Sequence, residues 1–391
     1  MAVSITALDG NLNPLGQFQF EKIDIITTYN QVGSWVLTLP PTLQNAILAD
    51  TADLCISVNW NGIFTFGGYL ETWEPIRTVD DTSGQVTDTI VLTGADYLGL
   101  VANRFAWPAP ALVWTSQTAI AADTQTAVAC ETAIKHFVNV NAGPGALAAR
   151  RIPHLTVATD LTRGGTVTYS AKFTLGTDLP LMDIVRTLVA TGGPLGVQVG
   201  QIGSGLVFDC YAPRDLSKTA WFSYELGNLR SHDLAVTTPT VTAALVRGQT
   251  AYIQVDAAGT ADAWQYAELL VDQSGSTLAA DLATAAADAL ATGAGVATLK
   301  ITTIDLPRLT FGTDYSIGDT VTIEIQPGAV YTDILSQVEL IADSTGQDYV
   351  ETVTATVGPL ADAGVTDVTA TAKLAAKLRN LERQIKRLQL G

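Results

Sequence analysis

Charge is scarce in this chain of 391 residues: Asp, Glu, Lys and Arg make up 15% of it, against roughly a quarter in an average globular domain. Cysteine is scarcer still. Cys55, Cys130 and Cys210 are odd in number and lack CxxC spacing, which excludes a disulfide framework and a cysteine metal site. They are expected to be buried apolar residues in a chain folded in a reducing compartment. His136, His154 and His232 occur without HExxH or a Cys/His cluster, so no zinc site is expected. There is no GxSxG elbow and no P-loop, and Gly200, Gly203 and Gly205 fall in an expected hairpin turn rather than a phosphate loop. No cofactor is implied. MAVSITALDG has neither a basic start nor an apolar h-region, and no apolar run approaches 18 residues, so the expectation is a chain neither exported by a signal peptide nor membrane-spanning.

The charge that is present is mostly negative, with a net of −17. An acidic body is a poor ligand for nucleic acid, whose affinity is dominated by phosphate neutralisation. Paired carboxylates such as Asp80 and Asp81, or Glu71 and Glu74, could be drawn as a glycosidase pair. That mechanism needs a separation of about 5–9 Å that spacing alone does not fix, and no motif assigns the roles. Catalysis is not expected.

Alternation at period two dominates what remains. TVTYSAKF (166–173) puts Val167, Tyr169, Ala171 and Phe173 on one face, and TVTIEI (320–325) does the same with Val321, Ile323 and Ile325. These read as half-buried antiparallel strands. Further short strands are expected at 23–27, 34–39, 54–60, 64–73 and 89–93, divided by turn residues in the manner of a barrel or sandwich. Helical periodicity predicts helices over 95–103, 126–138 (Cys130, Ile134, Phe137 and Val138 on one face), 181–190 (capped by Asp178, stopped at Gly192) and 276–291, which ends at Gly293. Between the middle helices and Tyr211 lies a hairpin, 196–211, turned at Gly203 and Ser204. The prolines of WPAP (107–110) and the stretch TTPT (237–240) mark domain breaks, and GPLADAGV (358–365) reads as a linker.

At the C-terminus, Leu374, Leu378, Leu381, Ile385 and Leu388 are spaced 4, 3, 4, 3, the seam of a coiled coil. Leu378 and Ile385 take the a positions and Leu374, Leu381 and Leu388 the d positions. Lys377 at g and Glu382 at the following e suit parallel neighbours. Six Lys and Arg residues in 371–391 sit opposite this seam, where a solvated coiled-coil face explains them. The seam is shorter than the roughly three to four heptads of an independent coiled coil. A single amphipathic helix folded back on its own domain is the alternative, and the seam does not choose three strands over two.

Four collinear segments go further: WNGIFTFGGYLETWEPIR (60–77), LTGADYLGLVANRFAWP (92–108), IKHFVNVNAGPGALAARRIPHL (134–155) and FGTDYSIGDTVTIEI (311–325). Together they resemble a minor tail protein family of long-tailed actinobacterial phages, the tail-tip hub or baseplate-type proteins, in order through nearly all of residues 1–357. The resemblance implies a mainly β fold with an α+β insertion. A first β-barrel hub domain would comprise 1–106, continued at 217–240; the insertion, 107–216; a second barrel, 241–357, with the Ala-rich helix 276–291; and 358–391, the linker and coiled-coil helix. It also implies a homotrimeric ring that adapts a sixfold tail tube to a threefold tip. Its partners would be a distal tail protein or the tail tube above and tip or fibre proteins below, with localisation at the virion tail tip after assembly in the host cytoplasm. No nucleic-acid sequence recognition or stable membrane insertion is implied.

Two other functions compete with this one. A receptor-binding tail protein could grip cell-wall glycan through Trp107, Trp114, Trp221 and Trp264, although core or subunit-interface roles fit large aromatics better. Arg150 and Arg151 read as interfacial ion pairs rather than a ligand clamp. A tail-associated peptidoglycan hydrolase is less favoured, since only a linker and helix are expected after the last strand.

Overall fold

The computed structural model describes residues 3–79, 86–118, 120–173, 179–257, 266–275, 277–295, 297–304, 306, 309–346 and 348–358. The chain is mainly β, with five α-helices among the described residues: α1 (Leu43–Ala49), α2 (Leu98–Ala102), α3 (Cys130–Asn141), α4 (Leu181–Gly192) and α5 (Ala279–Thr292). None is long and apolar enough to cross a membrane. Contacts divide the chain into two units.

The first unit comprises Met1–Leu216, Thr302–Thr320 and Gln337–Ala355. Its backbone is an antiparallel sheet in which residues 337–343 pair with Lys22–Thr28, followed by Ser34–Leu39, Val86–Asp96, Phe64–Val79, Cys55–Trp60, Ser4–Leu8 and Pro14–Gln17. Alternation drives burial: Ile23 and Ile25, Trp35, Leu37 and Leu39, and Ile56 and Val58 point inward, with the intervening residues turned out.

In the same unit, α3 and α4 pack against the strands Ala122–Ala129 and Thr166–Lys172 and against a second, three-stranded sheet of Gly196–Ile202, Gly205–Tyr211 and Leu155–Val157. Its core, with Ile134, Phe137, Val138, Ile184, Val185, Leu188 and Phe208 all buried, runs on through Tyr97, Leu98 and Val101 into Leu8 and Leu12. Cys130 and Cys210 belong to it, Cys55 lies beside Tyr97, and all three thiols are free. Burial pushes Cys130 up to about 11 and Cys210 to about 12, as for inert core thiols.

Several elements depart from expectation. The helix expected over 126–138 begins only at Cys130, because 122–129 is drawn into a strand opposite 166–172; Ala127, at φ 52°, sits where that register slips. The helix expected over 95–103 shortens to α2, since Val86–Asp96 stays in the sheet until the Asp96 carboxylate accepts from the Leu98 N–H. α4 runs through Gly192 to a cap at Gly193, and its N-cap is Pro180; Asp178 lies outside the described residues. α1 was not anticipated. Thr42 caps it by accepting from the Asn45 N–H, and the Asn45 side chain in turn ties residues 19 and 40.

The second unit comprises Ser217–Ile301, Val321–Ser336 and, among the described residues, 356–358. Trp221–Ser223 pairs in parallel with residues 322–324, whose neighbours Val321, Ile323 and Ile325 are buried as the alternation requires. A separate sheet places Ala243–Gly248 between Tyr252–Asp256 and Glu268–Gln273. α5 covers one face through Leu282, Ala286 and Ala289, which meet Ala244 and Val246. α5 starts later than expected, with Leu278 as N-cap and Gly293 closing it.

Candidate functional site

The seam residues Leu374, Lys377, Leu378, Leu381, Glu382, Ile385 and Leu388 lie outside the described residues, as do Asp80, Asp81 and Trp264.

Among the described residues, no three His, Cys, Asp or Glu side chains gather as a metal site. His136 pairs with Asp123, Nε2 to Oδ2 at 2.9 Å, and His232 Nδ1 lies 2.7 Å from the Tyr224 hydroxyl. His154 is a loop residue at φ 61°. Each histidine is thus placed by local structure. Glu71 and Glu74 are both exposed on one strand.

A dense cluster of charge in the first unit is built on α3. Glu131 is fully buried and takes Arg163 in a forked pair, Nε to Oε2 and Nη2 to Oε1 both at 2.9 Å. Lys135, one turn on, reaches Glu131 Oε1 and Asp209 Oδ1 at 2.7 Å each and donates to the Thr159 carbonyl. Burial alone would raise the Glu131 carboxyl, but hydrogen bonds from Arg163 and Lys135 outweigh it and hold it at about 2. Burial would likewise lower Lys135, and its bonds to Asp209 and Glu131 reverse that. With every strong donor committed inside the cluster, it locks α3 to the 159–163 loop and the Gly205–Tyr211 strand.

Trp107 and Trp114 do come together, their rings 5.5 Å apart, with Phe173 edge-on to Trp114 at 5.5 Å. Arg150 stacks 3.9 Å over Trp107 and donates to Asn141 Oδ1, while Arg151 donates to the Ala146 carbonyl. Both arginines thus hold their own unit together. Burial, then the nearby Arg104, lowers Arg150 to about 10. Trp114 is 58% exposed, while nearby in sequence the Gln117 side chain is bonded to the Ala109 backbone, and Arg150, over Trp107, to Asn141. Trp221 belongs to the second unit.

A cleft of about 700 Å³ opens in the first unit. Its walls are the Phe64–Val79 strand, the end of Lys22–Thr28, the Gly196–Ile202 strand and the 311–317 loop. Asp96 is the one charged residue of its lining, in which Thr, Ser and Gln side chains are interspersed with apolar ones such as Ile63, Phe64, Leu98, Val199 and Phe311. The loop is fixed from below by Asp319, which is 2% exposed and accepts from Ser316 N and from Arg214. Gly318, at φ 89°, permits the turn, where a Cβ would come 2.7 Å from the Tyr29 ring. Tyr29 itself donates to the Leu195 carbonyl, and the buried Asn30 bridges Leu195 O and Val197 N. Three of the four segments singled out in sequence, 60–77, 92–108 and 311–325, supply lining residues, and the cleft joins residues from 27 to 317. No spacing motif signals it.

Comparison with curated proteins finds no match. Among solved structures, a 43 kDa tail protein of prophage MuSo2 from Shewanella oneidensis overlays with a TM-score of 0.55 at 13% identity, covering 95% of this chain and 99% of that one. A tail protein from Neisseria meningitidis gives 0.52 at 12% identity with the same coverage. The Francisella PdpA–VgrG complex gives 0.51 at 10% identity, over 93% of this chain and 53% of the other. At these identities the likeness is one of fold. The model of the Siphovirus ReqiPepy6 Gp37-like proteins matches residues 4–358, nearly the whole described chain, and the protein belongs to that family.

Proposed function

We propose that this chain is a non-enzymatic structural protein of a phage tail tip that assembles as a homotrimeric ring. In this reading the ring adapts a sixfold tail tube to a threefold tip. The chain supplies two barrel-type hub domains, 1–106 continued at 217–240 and 241–357, with 107–216 inserted in the first. Residues 374–388 gather the three C-termini on the axis, with Lys377 and Glu382 setting parallel register. A distal tail protein or the tail tube sits above, tip or fibre proteins below, and the site of action is the virion tail tip.

The observation that carries the reading is its extent. The family match runs through 4–358, and the overlay on the Shewanella tail protein uses 99% of that chain. A whole tail-protein fold is thus repeated here, with no further domain needed to account for the described residues. Supporting it, the buried charges are consumed in structural pairs. The glycan-receptor alternative draws on the exposed Trp114, near which in sequence the Gln117 side chain is already bonded to the Ala109 backbone. Light scattering of the full chain and of a chain lacking 371–391 tests the proposal: a trimer that weakens on truncation supports it. Muralytic activity of the purified protein would overturn the non-enzymatic part.

A further inference from the structure

The Gly196–Ile202 strand is the outer strand of its three-stranded sheet, and its free edge lines the cleft. The direction of its amides follows from one bond. Val197 N–H donates at 2.9 Å to Asn30 Oδ1, away from the Gly205–Tyr211 strand with which it pairs. Backbone groups alternate sides along an antiparallel strand, so the N–H and C=O of Val199 and Gln201 face the same way as those of Val197. Asn30 and Tyr29 satisfy the start of this edge at Val197 and Leu195. Beyond it, among the described residues, the backbone groups of Val199 and Gln201 have no partner outside the hairpin.

An open edge beside a cleft is a template for another strand. The lining suits a peptide. It is rich in Thr, Ser and Gln side chains that both donate and accept, and Asp96 is its one carboxylate, with no Lys or Arg among the lining residues. A sugar fits less well, because Phe64 and Phe311 pack against each other, centroids 5.3 Å apart and tilted by 50°, so that neither is a free stacking platform.

We infer that the cleft is a strand-addition site for an extended peptide segment of a partner protein, hydrogen-bonded to Val199 and Gln201 and bearing an uncharged or basic side chain opposite Asp96. The inference stands independently of the trimeric ring. Gly200 provides a clean block: it lines the cleft, and a Cβ there meets no atom within 4 Å. The side chain of Gly200→Ile therefore starts in open space and adds bulk at the cleft, and a β-branched residue suits the strand.

The test uses the full chain and residue-resolved amide hydrogen exchange. The probes are an acetylated, amidated nonapeptide of alternating Thr and Val with a central Lys, the same peptide with a central Glu, and chitotetraose. The Lys peptide is expected to slow exchange at Val199 and Gln201 by about tenfold or more while Gln198 and Gly200 stay unchanged. The Glu peptide should bind about tenfold more weakly. Gly200→Ile should keep the wild-type melting temperature and lose the protection. Gln201→Pro, which removes one outward amide on a free edge, should weaken it as well and serves if the first variant fails to fold. No protection by the Lys peptide, undiminished protection in both variants, or protection by chitotetraose alone would each overturn the assignment, the last in favour of a glycan site.

Discussion

Arg214 grips Asp319 by both side chain and backbone. Its Nη2 meets Oδ2 at 2.6 Å, its Nε lies 3.1 Å from the same oxygen, and its own N–H donates to Oδ1 at 2.8 Å. Separated by 105 residues, the two join the segment that follows the Gly205–Tyr211 strand to the turn just before Thr320. The carboxylate is buried while the guanidinium is 47% exposed. Losing the arginine strands a buried charge that keeps only backbone donors.

Arg214→Met is therefore expected to lower stability by about 2 kcal/mol, below the usual 3–5 for a wholly buried pair because of the arginine's exposure. Chemical denaturation checks this. The midpoint should fall with an unchanged slope, since the loss is local to the native state.

The Glu131 cluster governs acid stability. Glu131 titrates at about 2 in the folded chain and at 4.5 without its partners, so its contribution is complete above about 4.5 and disappears as pH falls through about 2. Wild type should exceed Glu131→Gln by about 2 kcal/mol or more at neutral pH, with the gap narrowing below pH 4. Thermal unfolding at stepped pH measures the difference.

Asp96 acts with the opposite sign. Burial, the largest influence, lifts its carboxyl to about 6 against the lowering bonds from Gly33, Gly99 and Leu98. The folded chain thus holds the proton better than the unfolded one, where the group titrates near 3.8. That contribution is fully present below about 3.8 and is lost as pH rises through about 6. Relative to Asp96→Asn, wild type should lose roughly 3 kcal/mol at most between pH 4 and pH 7. A flat difference across that range would contradict the assignment.

How far the fold was legible depended on whether its signal was local. The 196–211 hairpin needs only two alternating runs and Gly203–Ser204 between them, and it formed as read. Val321, Ile323 and Ile325 went inside as period two requires, and the three cysteines are buried and free. The 126–138 segment was misread because AVAC satisfies either period, and pairing with 166–172 decided it. Thr42 ahead of LQNAILA was a visible cap that passed unused.

The sites were less legible for the same reason. Glu131 and Lys135 stand one helical turn apart in the sequence, but Arg163 and Asp209 reach them only through the fold. The cleft gathers Thr27, Asp96, Val199 and Phe311 from four separate stretches. No pattern in the chain links a strand edge to the loop that will face it.

The proposed ring of three identical chains is open to direct measurement by multi-angle light scattering of the 391-residue chain at micromolar concentration. The expected mass is three times that of the 41.1 kDa chain, falling toward the monomer on dilution when residues 371–391 are removed while the body stays folded. A 391-residue chain that remains monomeric at that concentration would rule the ring out.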